Sequence, residues 1–420
     1  MDSVRLAPNA AAMKIPALML AGAIGLAGCV TLSRSEPPPQ RAQQVAPVGF
    51  SPAVRFLGVD WRLDRPPADI IEGLRSAATD GSLDILALSG GGAGGAFGAG
   101  ALVGLTQAGA RPQFELVTGV STGALIAPFA FLGSNWDQQL TDAFVGPLSN
   151  DLMQRRGLLA VFSASLFGGD PLVHLVDHFV TQTMVDAVAR EAAKGRLLLV
   201  ATTDLDKAET VFWNMGAIAS TGGDPARRLF RDVLIASASI PGIFPPVMIH
   251  VRDAAGAAYD EMHVDGSTTI PFFIAPETIL VSPGEPKGMR GGNIYLIVNT
   301  QLTAMPRTTP INTMMILARG FSSSLAHNAR TALAQSEEFS KKIGMSFRYT
   351  AIPGNEDFDG FLDFDAAKMR GLFDYASACA ARGQLWLSTV TQALDEAANP
   401  APPTAVEQPK CPLGVARTAK

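Results

Sequence analysis

The sequence predicts an α/β domain, a sheet covered by helices on both faces, and three observations predict it. Short apolar runs with the look of fully buried strands recur along the chain. Stretches of helical composition separate them, which is the alternation of a βα fold. The 420 residues, 47% hydrophobic and 17% charged, supply enough apolar surface for one large core or two ordinary ones.

The elements follow in order. Leu83 to Leu88 reads as a strand and Ala99 to Gln107 as the helix after it. Phe114 to Val120 reads as a second strand, followed by a helix over Thr122 to Phe131. Leu197 to Thr203 is a third buried strand, and Thr210 to Asn214 is its hairpin partner. Arg227 to Ser237 reads as a helix, Met262 to Val264 as a short strand and Ile294 to Asn299 as another buried strand. Ile311 to Ile343 has helical composition, Met345 to Ile352 alternates like a late strand, and Ala366 to Leu394 closes as one or two helices.

The N-terminus reads as an address. Lys14 precedes the apolar run Ile15 to Ala27, which is too short to span a bilayer and ends in L-A-G-C at Leu26 to Cys29. Small residues directly before a cysteine resemble the bacterial lipoprotein signal, which implies cleavage after residue 28 and lipidation of Cys29. Val30 and Thr31 follow, and the absence of Asp there favours the outer membrane by analogy with such signals. Residues 29–51, rich in Pro, Gln and Ala, read as a flexible tether. The folded domain is expected over 52–398 and a poorly ordered tail over 399–420. If Cys29 is lipidated, Cys379 and Cys411 remain, either paired in an oxidising compartment or as free thiols. A formal net charge of −5 argues against nucleic acid as a partner, and removing residues 1–28 leaves that unchanged.

Two glycine-framed turns carry the chemistry. S-G-G-G-A-G-G at Ser89 to Gly95 ends the first strand, and G-V-S-T-G at Gly119 to Gly123 ends the second. Ser121, with Gly119 and Gly123 at ±2, fits a strand–turn–helix elbow that holds a hydroxyl at the carboxyl edge of the sheet. The competing reading is a serine whose hydroxyl caps the following helix. Gly90, Gly91 and Gly92 offer a row of backbone N–H groups suited to an oxyanion. Gly90, Gly92 and Gly95 also spell G-x-G-x-x-G, but no acidic residue stands at the end of a next strand, as a dinucleotide loop requires. No Cys/His cluster suggests a metal, no acidic calcium loop is present, and no cofactor is expected.

With A-S-A-S-I-P-G-I-F-P-P-V at Ala236 to Val247 and H-V-D-G-S at His263 to Ser267, these turns make an ordered set of four blocks. In that order the chain resembles the patatin-like phospholipases, serine lipid hydrolases, with core motifs over 83–267. The resemblance implies a three-layer α/β/α fold with a central, mostly parallel sheet. It implies Ser121 as nucleophile, Asp265 as general base and Gly90, Gly91 and Gly92 as the oxyanion hole, with Gly95, Gly119, Gly123 and Gly266 supporting the motifs. It also implies a lipid substrate, phospholipid first. An Asp base needs a short hydrogen bond to Ser121 and a water-poor pocket, since an ordinary carboxylate is a poor base. Ile240 to Val247 is expected to line such a pocket. Two residues depart from the family pattern: Gly94, where Arg or Lys is usual, and Ser267, where Gly or Ala is usual.

The five histidines compete poorly for the base. His263 shares a strand face with Asp265, a packing position. His327 sits in a polar helical stretch, and His174 and His178, at i,i+4, read as two partly buried helix residues. The expected function is therefore hydrolysis of lipid acyl esters at the periplasmic face of the outer membrane. The alternatives are an esterase or thioesterase on small acyl substrates, and a lipid-binding envelope protein with a weakened site. Trp136 to Gly169 has a composition that would allow a lid.

Overall fold

The computed structural model describes residues 45–58, 68–147, 171–275, 291–303, 308–354, 356–391 and Cys411, all within one compact unit, 37–420. The signal segment, Cys29, most of the tether, residues 148–169 of the lid stretch, residues 392–394 of the last helical stretch and all of the tail but Cys411 lie outside these residues.

In chain order the strands are β1 (Ala46–Pro47), β2 (Arg55–Leu57), β3 (Asp84–Leu88), β4 (Leu116–Val120), β5 (Leu197–Asp204), β6 (Glu209–Asn214), β7 (Val247–Arg252), β8 (Ala258–Asp265), β9 (Asn293–Gln301) and β10 (Ser346–Ile352). The helices are α1 (Ala68–Ala77), α2 (Gly95–Gln107), α3 (Thr122–Leu132), α4 (Asp137–Val145), α5 (Pro171–Phe179), α6 (Gln182–Ala192), α7 (Met215–Thr221), α8 (Gly223–Ala238), α9 (Thr313–Ile343) and α10 (Ala366–Ala381). Each strand read from the sequence is present. α2, read from the sequence over Ala99 to Gln107, begins at Gly95, four residues before its apolar composition suggested. The short strand expected at Met262 is the end of an eight-residue strand paired with β7, a hairpin that the sequence reading did not contain.

β10, β9, β3, β4 and β5 run parallel in that order through the middle of the sheet. Along β3 and β5 side chains alternate between two cores. Leu86, Leu88, Leu198 and Val200 pack on one face with α2, α3, α8 and α10. Ile85, Ala87, Leu197 and Leu199 pack on the other with α9, Leu74 of α1 and Phe272 to Ala275. This is the expected three-layer arrangement, and it follows from strands apolar on both sides. β1 corrects the tether boundary: Ala46 and Pro47 are buried and pair with β7, so the folded body begins before residue 52.

β5 sets the geometry of the site. Leu199 to Ala201 pair with β4 and with β6, so those two strands occupy opposite edges. Thr202 to Asp204 pair with β6 and with β8, so β8 lies on the β4 edge. The ends of β4 and β8 therefore meet along one edge of β5, where Val120 faces Ala201 and Asp265 faces Thr202.

Candidate active site

That meeting brings together two residues 144 positions apart. Ser121 follows the last residue of β4, and Asp265 is the last residue of β8. Ser121 Oγ donates to Asp265 Oδ2 at 2.6 Å. Ser121 is 4% exposed and Asp265 is fully buried.

The elbow is strained where the motif requires it. Ser121 has φ 54° and ψ −125°, a conformation that costs a non-glycine residue about 1–3 kcal/mol. Its side chain does not cap α3, which removes the helix-cap reading. The flanking glycines make the bend possible by close approach: a Cβ on Gly119 would stand 2.6 Å from Gly123 O, and one on Gly123 would stand 2.4 Å from Leu88 O. Ser237, at the end of α8, props the turn from below. Its Oγ accepts from Ser121 N at 3.0 Å and donates to Ala201 O at 2.7 Å. Sequence reasoning quoted the run from Ala236 as a motif block but gave Ser237 no role, because nothing local shows that its hydroxyl reaches Ser121 N.

Asp265 is held as tightly. Its N–H donates to Ser239 O at 2.9 Å, and its Oδ1 accepts from Ser267 N at 2.7 Å. Gly266 lets the chain turn across β5, since a Cβ there would stand 2.5 Å from Ala201 O. Burial pushes the Asp265 carboxyl up to about 6, and hydrogen bonds from Ser121 and Ser267 offset only part of that rise. The carboxylate is thus more basic than a solvated one, as a serine–aspartate pair needs. The expected pocket lining behaves differently. Of Ile240 to Val247 only Ile240 is buried, and the segment is a half-exposed turn.

The glycine loop lies against Ser121. A Cβ on Gly90 would stand 3.1 Å from Ser121 Cβ and 2.1 Å from Ser267 Oγ. The Gly90 N–H, however, donates to Pro271 O at 3.0 Å. It is therefore not a free donor, and the expected set of three reduces to Gly91 and Gly92, whose N–H groups have no acceptor among the described residues. Gly92 has φ +55°, and a Cβ there would stand 2.0 Å from Phe361 O. Asn299 clamps the loop, its N–H donating to Ser89 Oγ and its Nδ2 to Ser89 O, both at 2.8 Å. Gly95 packs on α3, where a Cβ would stand 2.2 Å from Thr122 Oγ1. Gly94 is closed off as well: a Cβ would stand 2.1 Å from Asn299 O, so this chain has no room for a side chain at that departure.

Among the described residues no histidine hydrogen-bonds to the side chain of Ser121 or Asp265. His263 is buried, with Nδ1 2.9 Å from Thr202 Oγ1 and Nε2 3.4 Å from Glu261 Oε2. Glu261, His263 and Asp204 bring ligand-type atoms within 4.8 Å of one another. Cations of the chain already balance them, since Lys207 bonds Glu261 and lies 3.1 Å from Asp204, and Arg55 bonds Glu261. Burial works to raise the Glu261 carboxyl, and hydrogen bonds from His263 and Arg55 reverse that and hold it well below the usual range. The cluster is an ion-pair core behind β8. His327 is exposed on α9, and His174 and His178 are exposed on α5 rather than partly buried. An apolar cavity of about 30 Å³ lies beyond α3, lined by Leu125, Phe129, Phe144 and Val176 among others, and none of its walls belongs to the dyad or the glycine loop.

The comparison with curated proteins gives no match. Among solved structures the chain is similar to VipD from Legionella pneumophila, at 13% identity and a TM-score of 0.31, over 72% of this chain and 67% of that one. It is also similar to human GIVD cytosolic phospholipase A2, at 12% identity and a TM-score of 0.32, over 70% of this chain and about half (52%) of the human one. Both scores are low, and the site is read from its own geometry. The family model of patatin-like phospholipases matches residues 86–276, a span that contains both glycine turns, Ser237 and Asp265. This chain carries a patatin-like phospholipase domain over residues 86–276, and with it the fold and chemical class of a lipid-hydrolysing enzyme.

Proposed function

We propose that the protein cleaves acyl esters of lipids, phospholipids first, through a Ser121–Asp265 dyad with an oxyanion hole at Gly91 and Gly92. The observation that carries this reading is the 2.6 Å hydrogen bond from Ser121 Oγ to a fully buried carboxylate, made from a strained elbow. Asp265 accepts the hydroxyl proton as Ser121 Oγ attacks the ester carbonyl. The two loop N–H groups take the developing oxyanion, each contributing about 3 kcal/mol to barrier lowering. The proton then passes to the leaving alkoxide, the acyl group stays on Ser121, and water activated by Asp265 releases it.

A fluorophosphonate probe should label wild type and fail to label Ser121→Ala; equal labelling of the two would sink the assignment. Lipid mass spectrometry on native envelope lipids, wild type against Ser121→Ala, reads the product and separates a lipid hydrolase from an esterase on small substrates. The departure at Gly94 is accommodated by packing, and Ser267 keeps the backbone N–H on Asp265 that Gly or Ala would also supply, while its own buried Oγ has no hydrogen-bond partner among the described residues.

The same proposal sets the enzyme on a membrane by acyl chains on Cys29, at the periplasmic face of the outer membrane. The disulfide between Cys379 and Cys411 supports an oxidising compartment. Metabolic labelling with a palmitate analogue should mark wild type and leave Cys29→Ser unmarked.

A further inference from the structure

α9 begins in a way its length does not require. Its buried positions, from Leu325 through Ala329, Leu333, Ser336 and Phe339 to Ile343, form a stripe at helical spacing against the sheet. That stripe stops at Leu325, three turns after the helix starts at Thr313. Before it, Met315, Ile316 and Leu317 are 40%, 52% and 61% exposed, and Ile311, just ahead of the helix, is fully exposed. Three consecutive exposed residues sweep about 200° of the helix, with Ala318 and Arg319 half-buried behind them, so the first turns present a broad apolar arc outward. Scattered apolar surface residues need no explanation, but a contiguous cluster marks a contact surface.

Charge indicates which contact. From Gln301 to Ser336 the chain has no Asp or Glu and has three arginines, Arg307, Arg319 and Arg330, in a protein whose acidic residues outnumber its basic ones 38 to 33. An apolar helix end in an acid-free, basic surround suits an interface of hydrocarbon beneath negative head groups. Position connects it to the chemistry. Phe321, two turns on, meets Phe361 edge to face at 5.3 Å, and Phe361 O accepts the N–H of Ala93 in the glycine loop. The carboxylates of Asp357, Asp359 and Asp363 gather on Lys368, whereas the α9 tip itself carries no acid.

We propose that the N-terminal turns of α9, from Ile311 to Arg319, dock on an anionic lipid bilayer and hold the glycine loop next to it. The purpose of this surface rests on the lipid-hydrolase reading, whereas its test does not. The anchor at Cys29 would keep the protein near a membrane, and the α9 tip would orient the site toward it.

The test is partitioning of the full chain carrying Cys29→Ala, so that no acyl chain contributes, onto vesicles of phosphatidylglycerol and phosphatidylcholine. The double substitution Ile316→Asp with Leu317→Asp is expected to lower partitioning about tenfold or more. Arg319→Ala is expected to lower it about fivefold on anionic vesicles, and much less on phosphatidylcholine alone or in high salt. Ser121→Ala should partition like its parent, and a parent with Ser121 intact that binds vesicles but never hydrolyses lipid would refute the enzymatic reading and leave the docking surface standing. Unchanged partitioning of the double variant and of Arg319→Ala would overturn the proposal. So would loss of self-association in the double variant with vesicle binding intact, since the patch would then join two copies of the chain.

Discussion

At the residue scale, Asp265 works against the fold it belongs to. Its carboxyl is pushed up to about 6 in the folded chain from an ordinary value of 3.8, because burial penalises the charged form. A carboxyl raised in this way stabilises the fold fully below pH 3.8 and loses that contribution as pH rises toward 6. The ionised group therefore costs roughly 3 kcal/mol at neutral pH. Asp265→Asn should accordingly raise the melting temperature at pH 7 while lowering turnover about a thousandfold or more. A less stable Asn variant would show that the hydrogen bonds outweigh burial. In the wild type, kcat/KM on a soluble ester should climb with pH through an apparent pKa near 6, where the free base ionises. A rise centred near 4 would mean a solvated carboxylate, and a rise that survives Asp265→Asn would move the base to another group.

At the scale of elements, two supports deserve separate tests. Ser237 holds the elbow from the end of α8, so Ser237→Ala leaves the buried Ser121 N–H without an acceptor. The expected cost is about 1–3 kcal/mol of stability, together with a fall in kcat as the bend relaxes; a stability loss with unchanged kcat would limit Ser237 to packing. The glycine loop is the second. Gly94→Arg restores the residue type usual in the family, but its Cβ would press on Asn299 O at 2.1 Å. A stability loss of about 1–3 kcal/mol is expected by thermal unfolding, and no gain in activity. The strands and helices behind these turns were legible because their periodicities are strong. The β7–β8 hairpin was not, because β7 alternates only weakly and follows a Pro-rich turn. For the same reason Ile240 to Val247 read as pocket lining: its apolar residues say nothing of the half-exposed turn they form.

At the scale of the whole molecule, the Cys379–Cys411 bond ties the C-terminal segment to α10 across 32 residues. A loop of that length corresponds to about 3–4 kcal/mol of chain entropy, so reduction or Cys411→Ser should lower the melting temperature measurably. An unchanged melt in reducing buffer would show that the pairing contributes little and would weaken the inference of an oxidising compartment.

By itself the sequence determined the βα alternation, the two glycine turns and Ser121 in its elbow, because those depend on local periodicity and on residue types at short spacing; Asp265 was implied only by the resemblance that the four ordered blocks carry. Only the tertiary structure decided how a serine after β4 reaches an aspartate at the end of β8: both strands end on one edge of β5, a pairing between segments far apart in sequence. It also decided which loop N–H groups remain open. Gly90 has the same backbone donor as its neighbours, and it is withdrawn by Pro271, a residue brought over it by the turn after Asp265. Hydrogen-bond availability depends on what packs against a group, which no local pattern in the chain records.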